Sequence, residues 1–147
     1  MSIRAILPVA RKRLVTVSDV APVVYAAELL SGKHTSLVIV CDSDGLMTGV
    51  ITKADVVRQI STCTGCSCTT MISDIMTRKV IACHPDDQLI DVWAVMKTND
   101  LRQIPISDQD SRPVGLLYAS DALQVLLKEA VDEKLFLRDY VTGMGYQ

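Results

Sequence analysis

The sequence predicts an α/β (α+β) fold of two tandem β-α-β-β-α units, packed as a pseudo-twofold pair, with an extra C-terminal helix. Two observations predict this fold. First, the landmarks of the chain recur without a gap: Gly49 corresponds to Gly115, and Asp55 to Asp121, each 66 positions later. Second, short apolar runs typical of strands alternate with stretches whose apolar residues recur at helical spacing. A duplicated supersecondary unit therefore accounts for most of the chain.

The repeat also covers the hydrophobic pattern on either side of these landmarks. The same shift relates these pairs: Asp42 and Asp108, Asp44 and Asp110, Leu37–Val40 and Gln103–Ile106, Leu14–Val17 and Val80–Cys83. Two copies are too few for a solenoid, in which many repeats stack in a row. We therefore expect the two units to bury a face of each against the other.

The first unit begins with a strand and a helix. Leu14–Val17 is the predicted strand, Asp19 is the candidate N-cap of the helix, and Pro22 lies near its first turn. Gly32 lies near the end of the helix, where glycine is common. The apolar positions have the spacing of one buried face, and they are Val23, Ala26, Ala27 and Leu30.

A hairpin and a second helix complete the first unit. Leu37–Cys41 is a buried strand, Asp42–Gly45 is the turn, and Met47–Ile51 is the returning strand. A helix follows from Lys53 to about Ser61. Three apolar residues indicate the buried side of this helix: Val56, Val57 and Ile60.

The second unit repeats this order from Val80 to about Ala130. Its first helix opens at Pro85–Asp87, and its buried side includes Trp93 and Met96. The whole organisation is then a unit over residues 6–62, a linker over 63–71, a unit over 72–130 and a C-terminal helix and tail over 131–147. The apolar residues of that last helix indicate packing on a sheet or on a partner subunit, and they are Leu135, Leu137 and Tyr140.

Composition excludes several classes of function. The formal net charge is −2, which gives no electrostatic reason to expect binding to nucleic acid or to an anionic membrane. No apolar run approaches the roughly 20 residues of a membrane-spanning helix, and the N-terminal segment does not have the pattern of a signal peptide. We therefore expect a cytoplasmic protein whose 5 cysteines are reduced. The sequence also has no Ser/Cys–His–Asp set and no glycine-rich phosphate loop, so we predict no catalytic residues.

Several short motifs, taken with the duplication, resemble a tandem pair of cystathionine β-synthase (CBS) domains. They are "DIMT" at Asp74–Thr77, "RQIPISD" at Arg102–Asp108, and the turns "GVITKAD" at Gly49–Asp55 and "GLLYASD" at Gly115–Asp121. The resemblance covers roughly residues 6–130 and implies a compact pair of α/β units that forms a disc-shaped homodimer. It also implies a regulatory module, not an enzyme, that binds AMP, ADP or ATP in clefts between the repeats and acts on an unidentified partner.

The turn "GVITKAD" has two interpretations. Thr52 and Asp55 have the spacing of a capping box, in which the side chains of the N-cap and third helical residues bond to each other's backbone N–H groups. The turn also opens a helix, whose N-terminus favours a phosphate. The resemblance assigns Thr52 to a phosphate and Asp55 to the ribose hydroxyls of a nucleotide. Both interpretations can hold together.

The turn "GLLYASD" is not equivalent, because Tyr118 stands where the first turn has Thr52. Ser120 could supply the lost hydroxyl, and Asp121 keeps the ribose role. Tyr118 is either a ligand-stacking residue or an amphipathic side chain at the surface. We therefore expect the second cleft to bind a ligand differently, more weakly or not at all.

The resemblance also pairs each aspartate with the first strand of the other repeat. Asp55 would face Val80, Ile81 and Ala82, and Asp121 would face the strand that begins at Val15 and Thr16. Such strands read an adenine edge with their backbone and enclose its ring with apolar side chains. Arg102 aligns with a basic position near the phosphates, a role that the guanidinium group suits.

Two alternatives stay open. One is a ligand-free dimerising scaffold with the same fold. The other is a metal or thiol sensor that uses Cys63, Cys66 and Cys68, with His84 beside Cys83 as a possible fourth ligand. The spacing matches no complete zinc pattern, so we predict no metal site. Cys41 and Cys83 fall on predicted core strands, where free cysteine behaves as a small apolar residue.

Overall fold

The computed structural model describes residues 1–32, 35–62 and 70–145, without the side chains of residues 62 and 135–145. A short 3-10 helix, Ile3–Ala5, precedes α1. The helices are α1 (Leu7–Arg13), α2 (Val23–Leu30), α3 (Lys53–Thr62), α4 (Ile72–Ile75), α5 (Leu89–Thr98) and α6 (Ala119–Gly145). The strands are β1 (Thr16–Ser18), β2 (Leu37–Cys41), β3 (Met47–Thr52), β4 (Gln103–Ser107) and β5 (Pro113–Tyr118). The predicted mixed α/β fold is confirmed.

The duplication predicted from the sequence is present in the strand register. In the first unit β2 pairs antiparallel with β3 so that Leu37 lies opposite Thr52. In the second unit β4 pairs antiparallel with β5, and Gln103 lies opposite Tyr118, at the positions that the repeat predicts. Each hairpin also has a register shift next to its turn, after Val40 and after Ile106. The strand-to-helix turns at the ends of β3 and β5 therefore occupy equivalent positions in the two units.

Both hairpin turns are closed by an aspartate. The carboxylate of Asp42 accepts the backbone N–H groups of Asp44 and Leu46 at 2.9 and 3.0 Å. The carboxylate of Asp108 accepts those of Asp110 and Arg112 at the same distances. Short acidic side chains that bond to the backbone two residues on are a common way to fix a turn, which explains why this pair of aspartates recurs.

The N-terminal segment of each unit packs on the other unit. Helix α1 lies against β5, and Thr77, which follows α4, exchanges two backbone hydrogen bonds with Val50 of β3 at 2.8 and 2.9 Å. Gly49 and Gly115 are the points of closest approach. A Cβ on Gly49 would lie 2.7 Å from the Thr77 carbonyl oxygen, and one on Gly115 would lie 2.9 Å from the Ala10 Cβ. The repeated glycines are therefore required by this reciprocal packing.

Among the described residues, three apolar clusters form the core. One belongs to the first unit and includes Ala26, Val40 and Ile51, and one lies in the second unit beneath α1 and includes Leu89, Ile104 and Leu117. A third joins the two units and consists of Leu37, Ile39, Val50 and Leu116. The two units therefore bury apolar residues against each other, as expected, and they do so through this third cluster.

The predicted strand Val80–Cys83 is wrong, because only an isolated parallel bridge between Cys83 and Ile106 forms there. In the first unit the Ile39 N–H donates to the Val15 carbonyl at 2.9 Å, which holds β1 against β2. The residue equivalent to Ile39 is Pro105, which has no N–H group to donate. One proline therefore removes the hydrogen bond that would extend the strand.

Other corrections concern helix ends and faces. Asp19 is not the N-cap of α2, because Pro22 holds that position and the Asp19 backbone bonds instead to Cys41 and Ser73. Val57 and Ile60 were predicted on the buried face of α3, but their exposed fractions are 62% and 59%. The predicted C-terminal helix continues the last helix of the second unit, since α6 passes residue 130 without a break.

One further expectation concerns membranes. No helix in the described parts of the chain is both long and apolar enough to cross a membrane.

Candidate functional site

A cleft of about 210 Å³ lies between the units beside the turn "GVITKAD". Thr52 and Thr77 lie at one side, Val80 and Ile81 at another, and the remaining lining residues are Leu37, Val50, Lys79, Leu101, Gln103 and Pro105. The structure therefore brings together Thr52, Val80 and Ile81, which the sequence assigned to one site. Most of the lining is apolar, with a few polar groups at the turn, which is typical of small-molecule sites.

Asp55 lies next to this cleft and forms the predicted capping box. Its Oδ2 accepts the Thr52 backbone N–H at 3.0 Å and the Thr52 hydroxyl at 3.2 Å. Its own N–H points to the Thr52 hydroxyl at 3.4 Å. The aspartate is only 4% exposed, and these contacts are those of the capping interpretation of this turn.

The second oxygen of Asp55 is held only by long contacts. Oδ1 lies 3.4 Å from the Thr77 hydroxyl and 3.4 Å from Nη1 of Arg58, whose side chain is 70% exposed. Hydrogen bonds of this length are weak. The carboxylate is thus fixed in orientation through Oδ2, while Oδ1 has contacts that a better donor could replace.

The wall opposite the turn has an unpaired backbone. Because Pro105 cannot donate, the Ile81 carbonyl accepts no hydrogen bond from any residue that the structure describes. Cys83, two residues later, bonds normally to Pro105 and Ser107 at 3.0 and 2.9 Å. Ala82, which the sequence assigned to this cleft, lines a separate cavity of about 160 Å³ beside α5.

Two basic residues lie in or next to the segments that line this cleft. Lys79 lines it, and Arg102 stands immediately before β4, between the lining residues Leu101 and Gln103. Both residues are exposed, and neither side chain forms a hydrogen bond or ion pair with another described residue. The structure therefore places the positive charge of Lys79 in the lining of the cleft, whereas the sequence predicted Arg102, which is not itself a lining residue but lies between two of them.

The turn "GLLYASD" has a different environment. Nε and Nη2 of Arg13 each lie 3.2 Å from one carboxylate oxygen of Asp121, and this interaction raises the pKa of Arg13. The same guanidinium stacks over the Tyr118 ring, 4.5 Å from its centroid. The sequence left Tyr118 open between ligand stacking and surface cover; here its partner is an arginine of the same chain.

The remaining residues assigned to the second cleft are less involved. Ser120 is exposed, and its hydroxyl makes no hydrogen bond with the described residues. The Val15 carbonyl already accepts the Ile39 N–H, and Thr16 belongs to β1. The strand that would face Asp121 is therefore paired where the equivalent segment of the first cleft is not.

A larger cleft of about 470 Å³ lies away from both turns. It is lined by Arg4, His84, Pro85, Asp86, Asp108, Gln109 and Asp110. Arg4 is paired with Asp86 at 2.6 Å, which lowers the pKa of that carboxyl, and two further aspartates remain. An excess of negative charge disfavours an anionic ligand, so the smaller cleft is the better candidate for one.

The cysteines that the structure describes, Cys41 and Cys83, do not form a metal site. Burial raises the pKa of the Cys83 thiol to about 12 and also raises that of Cys41, which makes both thiols poor nucleophiles. The His84 Nδ1 lies 3.0 Å from the Ser107 carbonyl oxygen. Among the described residues no cluster of three or more metal-ligating side chains exists, whereas Cys63, Cys66 and Cys68 lie outside them.

Sequence reasoning missed three residues of these sites: Arg13, Thr77 and Lys79. All three belong to the N-terminal segments that pack on the opposite unit. The signal was available, because the repeat shift aligns "ILPVARKR" with "ISDIMTRK" and places Arg13 on Lys79. What the sequence did not show is that each segment crosses to the turn of the other unit.

The chain is similar to known proteins along most of its length. The family profile described as "CBS domain" matches residues 3–62 and 72–128. An uncharacterized protein of Methanocaldococcus jannaschii, MJ1232, is 28% identical over 100 residues, which are 68% of this chain and 32% of that protein. The chain spans about a third or less of the length of the curated relatives that it matches.

Solved structures share the fold. The CBS domain pair of protein MJ0100, in complex with 5′-methylthioadenosine and S-adenosyl-L-methionine, has a TM-score of 0.71 and 22% identity, covering 88% of this chain and 98% of that one. CBSX2 in complex with AMP also has a TM-score of 0.71, with 21% identity over 82% of this chain and 93% of that one. At these identities the similarity establishes the architecture.

Proposed function

The chain belongs to the CBS domain family, and on that basis we propose that it is a regulatory module that binds an adenosine nucleotide, AMP, ADP or ATP, in the cleft beside "GVITKAD". One observation carries the proposal. A carboxylate held at the start of a helix, Asp55, stands next to a mostly apolar cleft in which a backbone carbonyl, that of Ile81, is unpaired. A nucleoside offers the matching groups: an apolar ring with polar edges, and a pair of hydroxyls.

The ligand groups are assigned as follows. The adenine ring packs against Val80 and Ile81, and its amino group donates to the Ile81 carbonyl. The ribose hydroxyls donate to Asp55 and displace the long Thr77 contact, a role that a carboxylate fills well. The phosphate lies at the N-terminus of α3, where Thr52 and the unpaired helical N–H groups favour an anion.

Charge and size support this orientation. Lys79 lines the cleft and Arg102 lies between two lining residues, and neither has a carboxylate partner among the described residues. The volume of about 210 Å³ is below the roughly 300–1,000 Å³ of common ligand pockets, so the base and ribose fill the cleft and the phosphates lie at its mouth. The adenosine ligands of CBSX2 and the MJ0100 domain pair share this base and ribose.

The proposal includes a cytoplasmic, non-enzymatic role as a homodimer that acts on an unidentified protein. Helices α2 and α3 pack against each other, and together they expose Val24, Tyr25, Val57 and Ile60. An exposed apolar surface on adjacent helices is typical of a protein–protein contact. A sedimentation measurement that finds only monomer at micromolar concentration would contradict the homodimer.

Titration calorimetry with AMP, ADP and ATP tests the proposal. We expect Asp55→Ala to weaken binding by at least about tenfold, because a hydrogen bond to a charged group contributes about 1.5–3 kcal/mol. Asp91→Ala is the matched control, since Asp91 is an exposed carboxylate in the first turn of α5. Thermal unfolding of both variants measures how much stability is lost with the helix cap, so that this loss can be told apart from the loss of the ligand contact. An absence of heat with every adenosine ligand would contradict the proposal.

A further inference from the structure

We propose that Arg13 occupies the second cleft in place of a nucleotide, so that each chain binds one nucleotide, in the cleft beside Asp55. This inference rests on the proposed function and adds the number of sites and the residue that sets it. The family match places one CBS unit in each half of the chain, and the duplication alone would predict two sites. The contacts at Asp121 indicate a different number.

Arg13 bonds to both carboxylate oxygens of Asp121. Its two nitrogens lie 3.2 Å from the two carboxylate oxygens, a bidentate arrangement that matches the planar guanidinium to the carboxylate. A ribose would need the same two oxygens for its hydroxyls.

Tyr118 holds the arginine in place. The Arg13 guanidinium lies 4.5 Å from the ring centroid, within the range of a cation–π interaction. Arg13 is also the last residue of α1, the helix that packs on β5. The backbone of Arg13 is therefore held by α1, and its guanidinium is held by Asp121 and Tyr118.

Ligand exchange would differ between the two clefts. At Asp55 a ribose replaces a neutral donor, the Thr77 hydroxyl 3.3–3.4 Å away, and a single long contact of 3.4 Å to Arg58, whose side chain is 70% exposed. At Asp121 it would replace a charged bidentate partner, and hydrogen bonds between charged groups are roughly twice as strong as neutral ones. The second exchange would also leave an arginine without its carboxylate.

The repeat shows which residue makes the difference. Lys79 is the counterpart of Arg13, and it forms no hydrogen bond or ion pair with the described residues. A lysine ammonium is a point charge and cannot form the planar two-nitrogen contact of arginine. The first cleft therefore keeps its carboxylate for a ligand, and the second does not.

Calorimetric stoichiometry with AMP tests this inference. We expect one nucleotide per wild-type chain and two per chain of Arg13→Gln, with the second event absent from the double variant Arg13→Gln/Asp121→Asn. Lys12→Gln is the matched control, since it removes the same charge from an exposed neighbour, and it should keep one site. Two sites in the wild type, or one site in folded Arg13→Gln, would overturn the inference.

A second measurement uses the wild-type protein and does not depend on the folding of a variant. In the amide spectrum of nitrogen-labelled protein, AMP should shift the resonances of Thr52, Asp55 and Ile81 and leave those of Ser120 and Asp121 in place. Shifts of equal size at both turns would overturn the inference while supporting nucleotide binding. An absence of shifts at both turns would instead reject the proposed function.

Discussion

The turns "GVITKAD" and "GLLYASD" share a scaffold but differ in chemistry. Each includes the end of the second strand of an antiparallel hairpin in the same register, begins with a glycine packed under a segment of the other unit, and opens a helix with an aspartate in its first turn. In the first turn the aspartate bonds to Thr52 and Thr77. In the second it bonds to Arg13. Residues far away in sequence therefore decide what each turn can bind.

The walls opposite the two turns differ for a separate reason. Ile39 donates a backbone hydrogen bond that pairs β1 with β2, whereas its counterpart Pro105 cannot donate and leaves the Ile81 carbonyl unpaired. Beside the first turn a backbone carbonyl thus stays unpaired among the described residues, whereas the equivalent Val15 carbonyl is paired. Together with the contact between Arg13 and Asp121, this difference supports the single nucleotide site that we propose.

We expect the largest effect on stability from substitution of the glycine that begins each turn, Gly49 or Gly115. Gly49→Ala should lower the free energy of unfolding by about 2–3 kcal/mol, because its Cβ would meet the Thr77 carbonyl oxygen at 2.7 Å. Gly115→Ala should cost about 1–3 kcal/mol, since its Cβ would meet Ala10 at 2.9 Å. Urea unfolding measures both changes.

The matched control for these variants is Gly32→Ala. A Cβ at Gly32 would be 3.8 Å from its nearest neighbour, the Leu29 carbonyl oxygen, which is an ordinary contact. We expect the free energy of unfolding to change by less than about 0.5 kcal/mol in this variant. If Gly49→Ala and Gly115→Ala are as stable as Gly32→Ala, the reciprocal packing of the N-terminal segments is not as tight as the structure indicates.

Much of this comparison could be predicted from the sequence, because the repeat shift fixes the hairpin register. It showed that Tyr118 stands where the first turn has Thr52, and the resemblance to CBS domains, not the repeat itself, placed Thr52, Val80 and Ile81 in one cleft. Local patterns could not show that α1 and the segment after α4 cross to the opposite unit, which brings Arg13 to Asp121 across 108 positions. They also mistook Val80–Cys83 for a strand, because its apolar pattern resembles Leu14–Val17 while the deciding residue is in β4.

The next effect concerns Pro105. Pro105→Val restores an N–H group that can donate to the Ile81 carbonyl, as Ile39 donates to Val15. We expect AMP affinity to fall by about tenfold, equal to about 1.4 kcal/mol, since the carbonyl is then paired within the protein. Calorimetry measures the affinity, and amide hydrogen exchange at position 105 reports the new hydrogen bond.

Pro113→Val is the control for this substitution. Pro113 lies in β5 of the same sheet and does not line the cleft, so its replacement should leave AMP affinity within about twofold. An unchanged affinity in Pro105→Val, together with a protected amide at that position, would show that the Ile81 carbonyl does not read the base.

The smallest effect separates the hydroxyls of the two turns. Thr52→Ala should cost about 1 kcal/mol of unfolding free energy, because it removes the N-cap side chain of α3. Ser120→Ala should stabilise the protein by a few tenths of a kcal/mol, since Ser120 is exposed, makes no hydrogen bond with the described residues, and lies within α6, where alanine is the better helix former. Parallel thermal and urea unfolding of the two variants measures this difference. If Ser120→Ala were as costly as Thr52→Ala, Ser120 would replace the missing threonine and the second turn would be capped like the first.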